Sequence, residues 1–477
     1  MKIVAVDIGT SRIKTACFDE TGRMDHLFSR RLDRASSPET QEAEEWFAAA
    51  ADLLKELTAA LGTPADAVVL TGNMHALLGV DGAGEPVAPA VLWSDNSAQA
   101  ESDELNARYG EMLLSRFGNR SIPVFTLPKI LRMKRNFPEL HRRAATFMQS
   151  KDFIAFRLTG RRVTDPTDAS GVLGMDLGTG EWDREFFAEL GIDVAKLPEI
   201  LPSAAVCGRV TREAAARTGL AAGTPVVIGT GDLASAAAGG GADSDTISLT
   251  LGTAGQLLAV GRKGAGRELA GRLFVFAHAD PAEELYLGSV PSGGFSFEWL
   301  AKVHNLTVPE FFRLAESVPL AEELPEFLPY LLGRGAPYMD YAPCGAWRGL
   351  RADHTLAELC RAAVFGTLAP LRQCADLLAS AAGARGRIVL QALACRERAV
   401  RETAGALFLQ RKFLPENSEA SLLGAALVGA VGMGVYPDLA AASAAMVRCR
   451  EAELPSESVA QRLFARFMAT ASGFAGE

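Results

Sequence analysis

Several absences narrow this 477-residue chain before any motif is considered. It lacks an excess of positive charge: 48 Lys and Arg stand against 57 Asp and Glu, a net charge of -9. A polyanion such as nucleic acid, or an acidic membrane surface, is therefore not expected as a main partner. The basic stretch "RMKRNFPELHRR" (Arg132 to Arg143) is short and interrupted, as on a solvated helix face. No apolar run approaches the roughly 20 residues that cross a bilayer. The longest, Leu422 to Tyr436, is rich in glycine. The seven cysteines are odd in number, scattered through apolar segments and free of any Cys-x-x-Cys. They read as reduced thiols in a cytoplasmic protein, and the opening "MKIVAVD" has no signal-peptide profile. No His pair has metal-ligand spacing, and neither a Gly-x-Ser-x-Gly elbow nor a Walker A loop occurs.

What is present follows an α/β grammar. In "VAVDIGTSRIKTACFD" an apolar run ends at Asp7, turns through Gly9-Thr10-Ser11, and resumes after Lys14. "EAEEWFAAAADLLKELTAAL" has helical periodicity, with Ser37-Pro38 upstream as cap and first-turn pair. "DAVVLTG" reads as a buried strand. "GTPVVIGTGDLASAAAGGG" repeats strand, glycine turn, acid and small-residue helix. "TISLTLGTAGQLLAV" then echoes the opening hairpin, with Leu251-Gly252-Thr253-Ala254-Gly255 matching Asp7 to Ser11 in shape. The two hairpins predict two related domains, 1–242 and 243–477. Further on, Thr355 and Glu358 form a capping box ahead of a long helix that contains Pro370 and ends near Gly383. "RIVLQALA" is then a strand, and "ASLLGAALVGAVGMG" a helix built for close packing.

Three stretches can carry chemistry. Backbone N–H groups of the Gly-Thr-Ser turn can converge on an anion, with Thr10 and Ser11 adding hydroxyls and Arg12 or Lys14 positive charge. Asp7 would repel phosphate unless Mg²⁺ lay between them. An ordinary hairpin is the other reading. Asp232 lies between a strand end and a helix start, where it is either a general base toward a hydroxyl or a helix N-cap. "LTGNMHALLGVDGAGEPVAPAVLWSDNSA" places Asn73, Met74 and His75 after one strand and Trp93 and Asp95 after another. That mixture of polar groups and an aromatic face suits a sugar. A buried, satisfied His75 is the alternative.

Together these stretches resemble the FGGY family of carbohydrate kinases, in order along nearly the whole chain. "VDIGTSRIK" resembles the first phosphate loop, and "LTLGTAGQ", with Gly252 and Thr253, the second. "TGNMHALLGVD" and "LWSDNSA" resemble the sugar-binding segments, and "GTGDLASAAAGGG" the segment of the catalytic Asp. "PSGGFSFEWL", with Gly294 and Glu298, resembles a nucleotide segment, and "ENSEASLLGAALVGAVGMG" a late family helix. The resemblance implies two actin-like (ribonuclease-H-like) domains facing each other across a nucleotide and sugar cleft. It also implies ATP and Mg²⁺ as cofactors, a sugar or polyol as substrate, and Asp232 as general base and metal ligand beside Asp7. Homodimers are common among such proteins. Departures from the pattern are Asn73 for Gln, Leu233 for Asn or Gln, Ser97 for Arg, and Gly335 within "LPYLLGRGAP". In "LQALACRER", Ala392, Leu393 and Ala394 stand where three glycines normally flank the adenosine. Two expectations follow: a sugar or polyol kinase of unusual specificity, or a member that binds sugar or a protein partner without phosphoryl transfer.

Overall fold

The computed structural model describes residues 1–32, 38–383 and 385–473. Its chain forms two compact units that are not two consecutive halves. The first comprises 1–240 with the later segments 276–285 and 419–447; the second comprises 241–275, 286–418 and 448–477.

The first unit is built on a six-stranded sheet. Its elements are β1 (Ile3–Ile8), β2 (Arg12–Phe18), β3 (Met24–Arg31), α1 (Ala43–Leu61), β4 (Ala67–Gly72), α2 (Thr126–Asn136), α3 (Ser150–Thr159), β5 (Val206–Arg209), β6 (Pro225–Gly231) and α4 (Asp232–Gly239). Strand order is β5-β6-β4-β1-β2-β3. β1, β4 and β6 run parallel, whereas β2 pairs antiparallel with both β1 and β3. The central strands are near-continuous apolar runs because both faces are covered. Alternation divides them cleanly. Val4, Val6 and Ile8, with Val68, Leu70, Val226 and Ile228, enter the core under α1, where Trp46, Leu53, Leu54 and Leu57 are buried. Ile3, Ala5, Val69 and Val227 enter the opposite core under the late helix Ala420–Gly432.

That late helix is a packing device, as its composition predicts. A side-chain carbon on Gly424 would fall 1.9 Å from the Ser235 carbonyl oxygen, and one on Gly239 1.9 Å from that of Ala420. Only glycine permits this approach of α4 to the late helix. One expectation fails at α1. The helix starts at Ala43 with Glu42 as its N-cap, behind a short strand Thr40–Gln41, so Pro38 is not in its first turn. Ser37 lies outside the described residues.

The second unit contains β7 (Thr246–Leu251), β8 (Gly255–Arg262), α5 (Phe295–Val303), α6 (Leu356–Ala382), β11 (Arg387–Ala392), β12 (Arg411–Pro415) and β13 (Cys449–Ala452), with the start of β9 (Phe274–Ala277) and most of β10 (Glu283–Val290), whose remaining residues fall in the 276–285 segment. Its sheet runs β9-β10-β8-β7-β11-β12-β13. The segment β10-β8-β7-β11-β12 repeats the order of β3-β2-β1-β4-β6, with the same antiparallel first hairpin and parallel central pair. Two short Gly-Thr turns are too little to reveal that duplication in the sequence; the sheet order reveals it. The Thr355–Glu358 capping box forms in both directions, and Pro370 is accommodated inside α6. All seven cysteines are free, and no described helix is long and apolar enough to cross a membrane.

Candidate active site

Parallel register creates the site of the first unit. Ile8, Gly72 and Gly231 stand side by side at the ends of β1, β4 and β6, so the residues that follow (Gly9, Asn73 and Asp232) leave the sheet at one edge. Asp7, one residue earlier, shares the parity of Ile3 and Ala5 and so faces the late helix. Lys14 lies directly across from Asp7 on β2, and its Nζ bonds Glu419 Oε2 at 2.6 Å. Glu419 occupies the N-cap position of the late helix. Burial raises the Asp7 carboxyl to about 6, with Lys14 opposing and Glu419 adding.

Asp232 is the first residue of α4 rather than its N-cap, which is Gly231. Burial raises its carboxyl to about 7, and the negative charge of Asp7 adds to the rise. The backbone N–H groups of Leu233, Asp232 itself and Met74 oppose that rise by favouring the ionised carboxylate. Behind it lies a fully buried ion cluster that no local pattern announces. Lys151 Nζ is 3.1 Å from Asp152 Oδ1, 3.1 Å from Asp165 Oδ1 and 3.2 Å from Asp168 Oδ2. The other oxygen of Asp165 accepts the hydroxyls of Thr167 and Ser203, each at 2.7 Å, and Thr167 Oγ1 accepts the N–H of Gly231 at 2.8 Å. Asp232 is thus set by a chain of bonds starting at a buried ammonium.

The sugar-segment residues divide by role. Asn73 is buried, its Nδ2 donating to the Ile8 carbonyl at 2.9 Å, so its amide joins β1 to β4. Met74 is also buried, and its backbone N–H favours the ionised form of Asp232. His75 has a left-handed backbone, φ 67°, and its N–H donates to Gln149 Oε1 at 2.5 Å. Its Nδ1 lies 2.8 Å from the Gly171 carbonyl. A carbonyl only accepts, so Nδ1 carries the proton and Nε2 keeps a lone pair. Burial lowers the imidazole to about 4 and keeps it neutral. Trp93 is 46% exposed and its Nε1 donates to Thr10 Oγ1 at 2.9 Å, joining the aromatic face to the first turn. Asp95 is buried and accepts the N–H and hydroxyl of Ser97. The serine that departs from the family pattern thus occupies the aspartate itself.

The first turn is braced from below: the Thr10 carbonyl accepts Gln41 Nε2 at 2.7 Å, and Gln41 Oε1 accepts the buried Trp46 indole at 2.8 Å. Ser11 and Arg12 are exposed, and Arg12 Nη1 reaches Ser29 Oγ at 3.4 Å. In the second unit, Gly252 N–H donates to Ala254 O at 3.0 Å and Thr253 is exposed at the apex. The N–H groups of Gly294 and Phe295 donate to the carbonyls of Gly252 and Thr253 at 2.7 and 3.0 Å, which fixes the turn against α5. Glu298 is exposed in the first turn of α5. Ala394 is fully buried and offers a ligand no surface, whereas Ala392 and Leu393 beside it are partly exposed.

Residues 2–239 match the N-terminal domain, and residues 249–433 the C-terminal domain, of the FGGY family of carbohydrate kinases. The chain belongs to that family. It is 26% identical to a xylulose kinase of Bacillus subtilis over 469 residues, covering 96% of this chain and 94% of the relative. Its fold is similar to the crystal structure of a xylulose kinase from Rhodospirillum rubrum, at a TM-score of 0.89, 27% identity and 99% coverage of each chain. It is also similar to a gluconate kinase from Lactobacillus acidophilus, at a TM-score of 0.92, 24% identity and coverage of 99% and 98%. The protein is a carbohydrate kinase with the actin-like (ribonuclease-H-like) fold. The expectation of a member without phosphoryl transfer finds no support in these relatives. As the family uses ATP, normally with Mg²⁺, that pair is implied here.

Proposed function

We propose that the protein transfers the γ-phosphoryl group of ATP to a hydroxyl of a sugar or sugar-derived polyol, with Asp232 as general base. The observation that carries this reading is the place of Asp232, first residue of α4 where β1, β4 and β6 end together, with its carboxyl raised to about 7 chiefly by burial. A base with a pKa near the working pH best combines correct ionisation with proton affinity. Asp232 takes the proton of the attacking hydroxyl, whose oxygen bonds to the γ-phosphorus as the bond to the ADP oxygen breaks.

Neutral His75, with its unprotonated Nε2, accepts a hydrogen bond from a second substrate hydroxyl, and Trp93 covers a C–H face. The Gly9–Ser11 turn of the first unit offers N–H and hydroxyl donors to phosphate, with Lys14 and Arg12 on the adjoining β2; in the second unit the exposed Thr253 offers its hydroxyl. Asp7 and Asp232 suit Mg²⁺ held jointly with phosphate oxygens and water, and among the described residues no group of three or more His, Cys, Asp or Glu would hold a metal unaided. Held there, Mg²⁺ would supply charge that screens the phosphates.

A ketopentose such as xylulose is the first candidate substrate, because xylulose kinases match over nearly the full chain. Fold alone does not select it, since gluconate kinase shares the fold. ADP release with Mg-ATP across ketoses, aldoses, polyols and aldonates is the test, with Asp232→Asn in parallel. Turnover that depends on one sugar class and falls about 10²–10⁴-fold in the variant is expected. Undiminished turnover in Asp232→Asn would refute the base assignment.

A further inference from the structure

Lys129, in the first turn of α2, carries no local signal of function and is 3% exposed. Its ammonium donates to the backbone carbonyls of His75 at 2.9 Å, Leu92 at 2.8 Å and Val124 at 2.8 Å. All three donors are used, and all three acceptors are uncharged. Burying an ammonium among carbonyls costs desolvation that no ion pair in direct contact repays. The cost appears as a pKa drawn down to about 7 by burial, with Asp95 only partly opposing. If α2 merely needed filling material here, methionine would serve more cheaply.

The positions of the three carbonyls give the arrangement its meaning. His75 carries the imidazole of the sugar segment. Leu92 precedes Trp93, whose indole bonds Thr10. Val124 precedes Phe125, whose ring meets the His75 ring edge-on at 5.0 Å between centroids. The carbonyl that Lys129 holds at His75 belongs to a residue with a left-handed backbone, which an L side chain adopts at a cost. Its N–H is held by Gln149 and its Nδ1 by Gly171. Removing Lys129 would release the carbonyl side of that backbone, and would leave the Leu77–Val91 backbone pair to join the His75 segment to the Trp93 segment.

We propose that Lys129 is the positioning residue of the sugar subsite, one ammonium fixing the His75 imidazole, its Phe125 support and the Trp93 indole at a set spacing. It touches neither substrate nor phosphate. It acts on sugar affinity through His75 and Trp93. This rests on the sugar-kinase reading given above.

The test compares wild type, Lys129→Met and Lys129→Arg for the KM of D-xylulose, the KM of ATP and kcat. D-xylulose titration without nucleotide, followed by calorimetry, runs beside it. The expected result is a rise of tenfold or more in sugar KM and Kd in Lys129→Met, with ATP KM and sugar-independent ATP hydrolysis within twofold of wild type. Lys129→Arg keeps the charge but changes the spacing, so it should fold and still raise sugar KM severalfold; it decides the matter should the methionine variant not fold. Unchanged sugar KM in an active, folded variant, or equal rises in sugar and ATP KM, overturns the assignment and leaves the kinase reading intact. Wild-type protein that neither binds nor phosphorylates any ketose, polyol or aldonate overturns both.

Discussion

Burial, and after it the negative charge of Asp7, raises the Asp232 carboxyl to about 7, although β4 lies between β1, which carries Asp7, and β6, which leads into Asp232. Burial and the charge of Asp7 thus both oppose the ionised form of Asp232 in the folded chain.

The sign of that opposition is testable. An unfolded Asp232 titrates near 3.8 and the folded one near 7. The native state therefore binds the extra proton between those values, and stability falls as pH rises through that window. Asp232→Asn should then be more stable than wild type at pH 8 in divalent-free buffer, by about 1–3 kcal/mol, and the difference should shrink toward pH 4. Catalysis runs the other way. Sugar kcat/KM of the wild type should fall below about pH 7, and Mg²⁺ should move that limb to lower pH. Thermal melts of both proteins across pH, with and without Mg²⁺, check the first arm. An asparagine variant less stable than wild type at pH 8 would sink it.

Lys151 presents the opposite balance. Its ammonium faces three carboxylates with none of the four side chains more than 1% exposed. Replacing it with methionine leaves Asp152, Asp165 and Asp168 with no counter-charge at the centre of their cluster. Breaking a buried ion cluster from one side costs about 3–5 kcal/mol. Without Lys151 the acids must take up protons to remain buried, so the deficit should narrow as pH falls. Urea titrations at pH 5 and pH 8 measure both features. A loss under about 1 kcal/mol, equal at the two pH values, would show that the cluster carries no such load.

What was legible in the sequence follows the range of each interaction. The β1–β2 turn, α1 from Ala43 onward and the Thr355–Glu358 cap are set by neighbours within a few residues, and composition displays them. Lys14 was legible as a cation near Asp7, but its partner Glu419 lies 405 residues away and is brought there by the late helix. Gln41, Lys129 and Gln149 act through backbone groups brought to them by the fold, and Lys151 through Asp165 and Asp168 as well as its neighbour Asp152, so the sequence beside them does not mark the role. Asn73 was legible as polar and close to the site, yet Ile8 takes its amide. The role of a polar side chain depends on which partner the fold supplies.

Ala392 and Leu393 of the second unit, where the family pattern has glycines beside the adenosine, allow two further tests. Ala392, at the end of β11, has φ 52° and ψ −125°, the geometry of the first central residue of a type II′ turn, where glycine is favoured. An alanine at positive φ costs about 1 kcal/mol, so Ala392→Gly should raise stability by roughly that amount. Leu393 follows with its side chain partly exposed, and its Cδ1 lies 3.0 Å from where a β-carbon on Gly294 would sit. The leucine therefore covers the backbone that locks the Gly252–Thr253 turn. Leu393→Gly should uncover it, lowering the KM for ATP severalfold while leaving the sugar KM unchanged. Denaturant melts of the first variant and steady-state kinetics of the second keep the two effects apart. A less stable Ala392→Gly would show that the turn is not strained at this residue, and a higher ATP KM in Leu393→Gly would make the leucine part of the nucleotide contact rather than an obstruction.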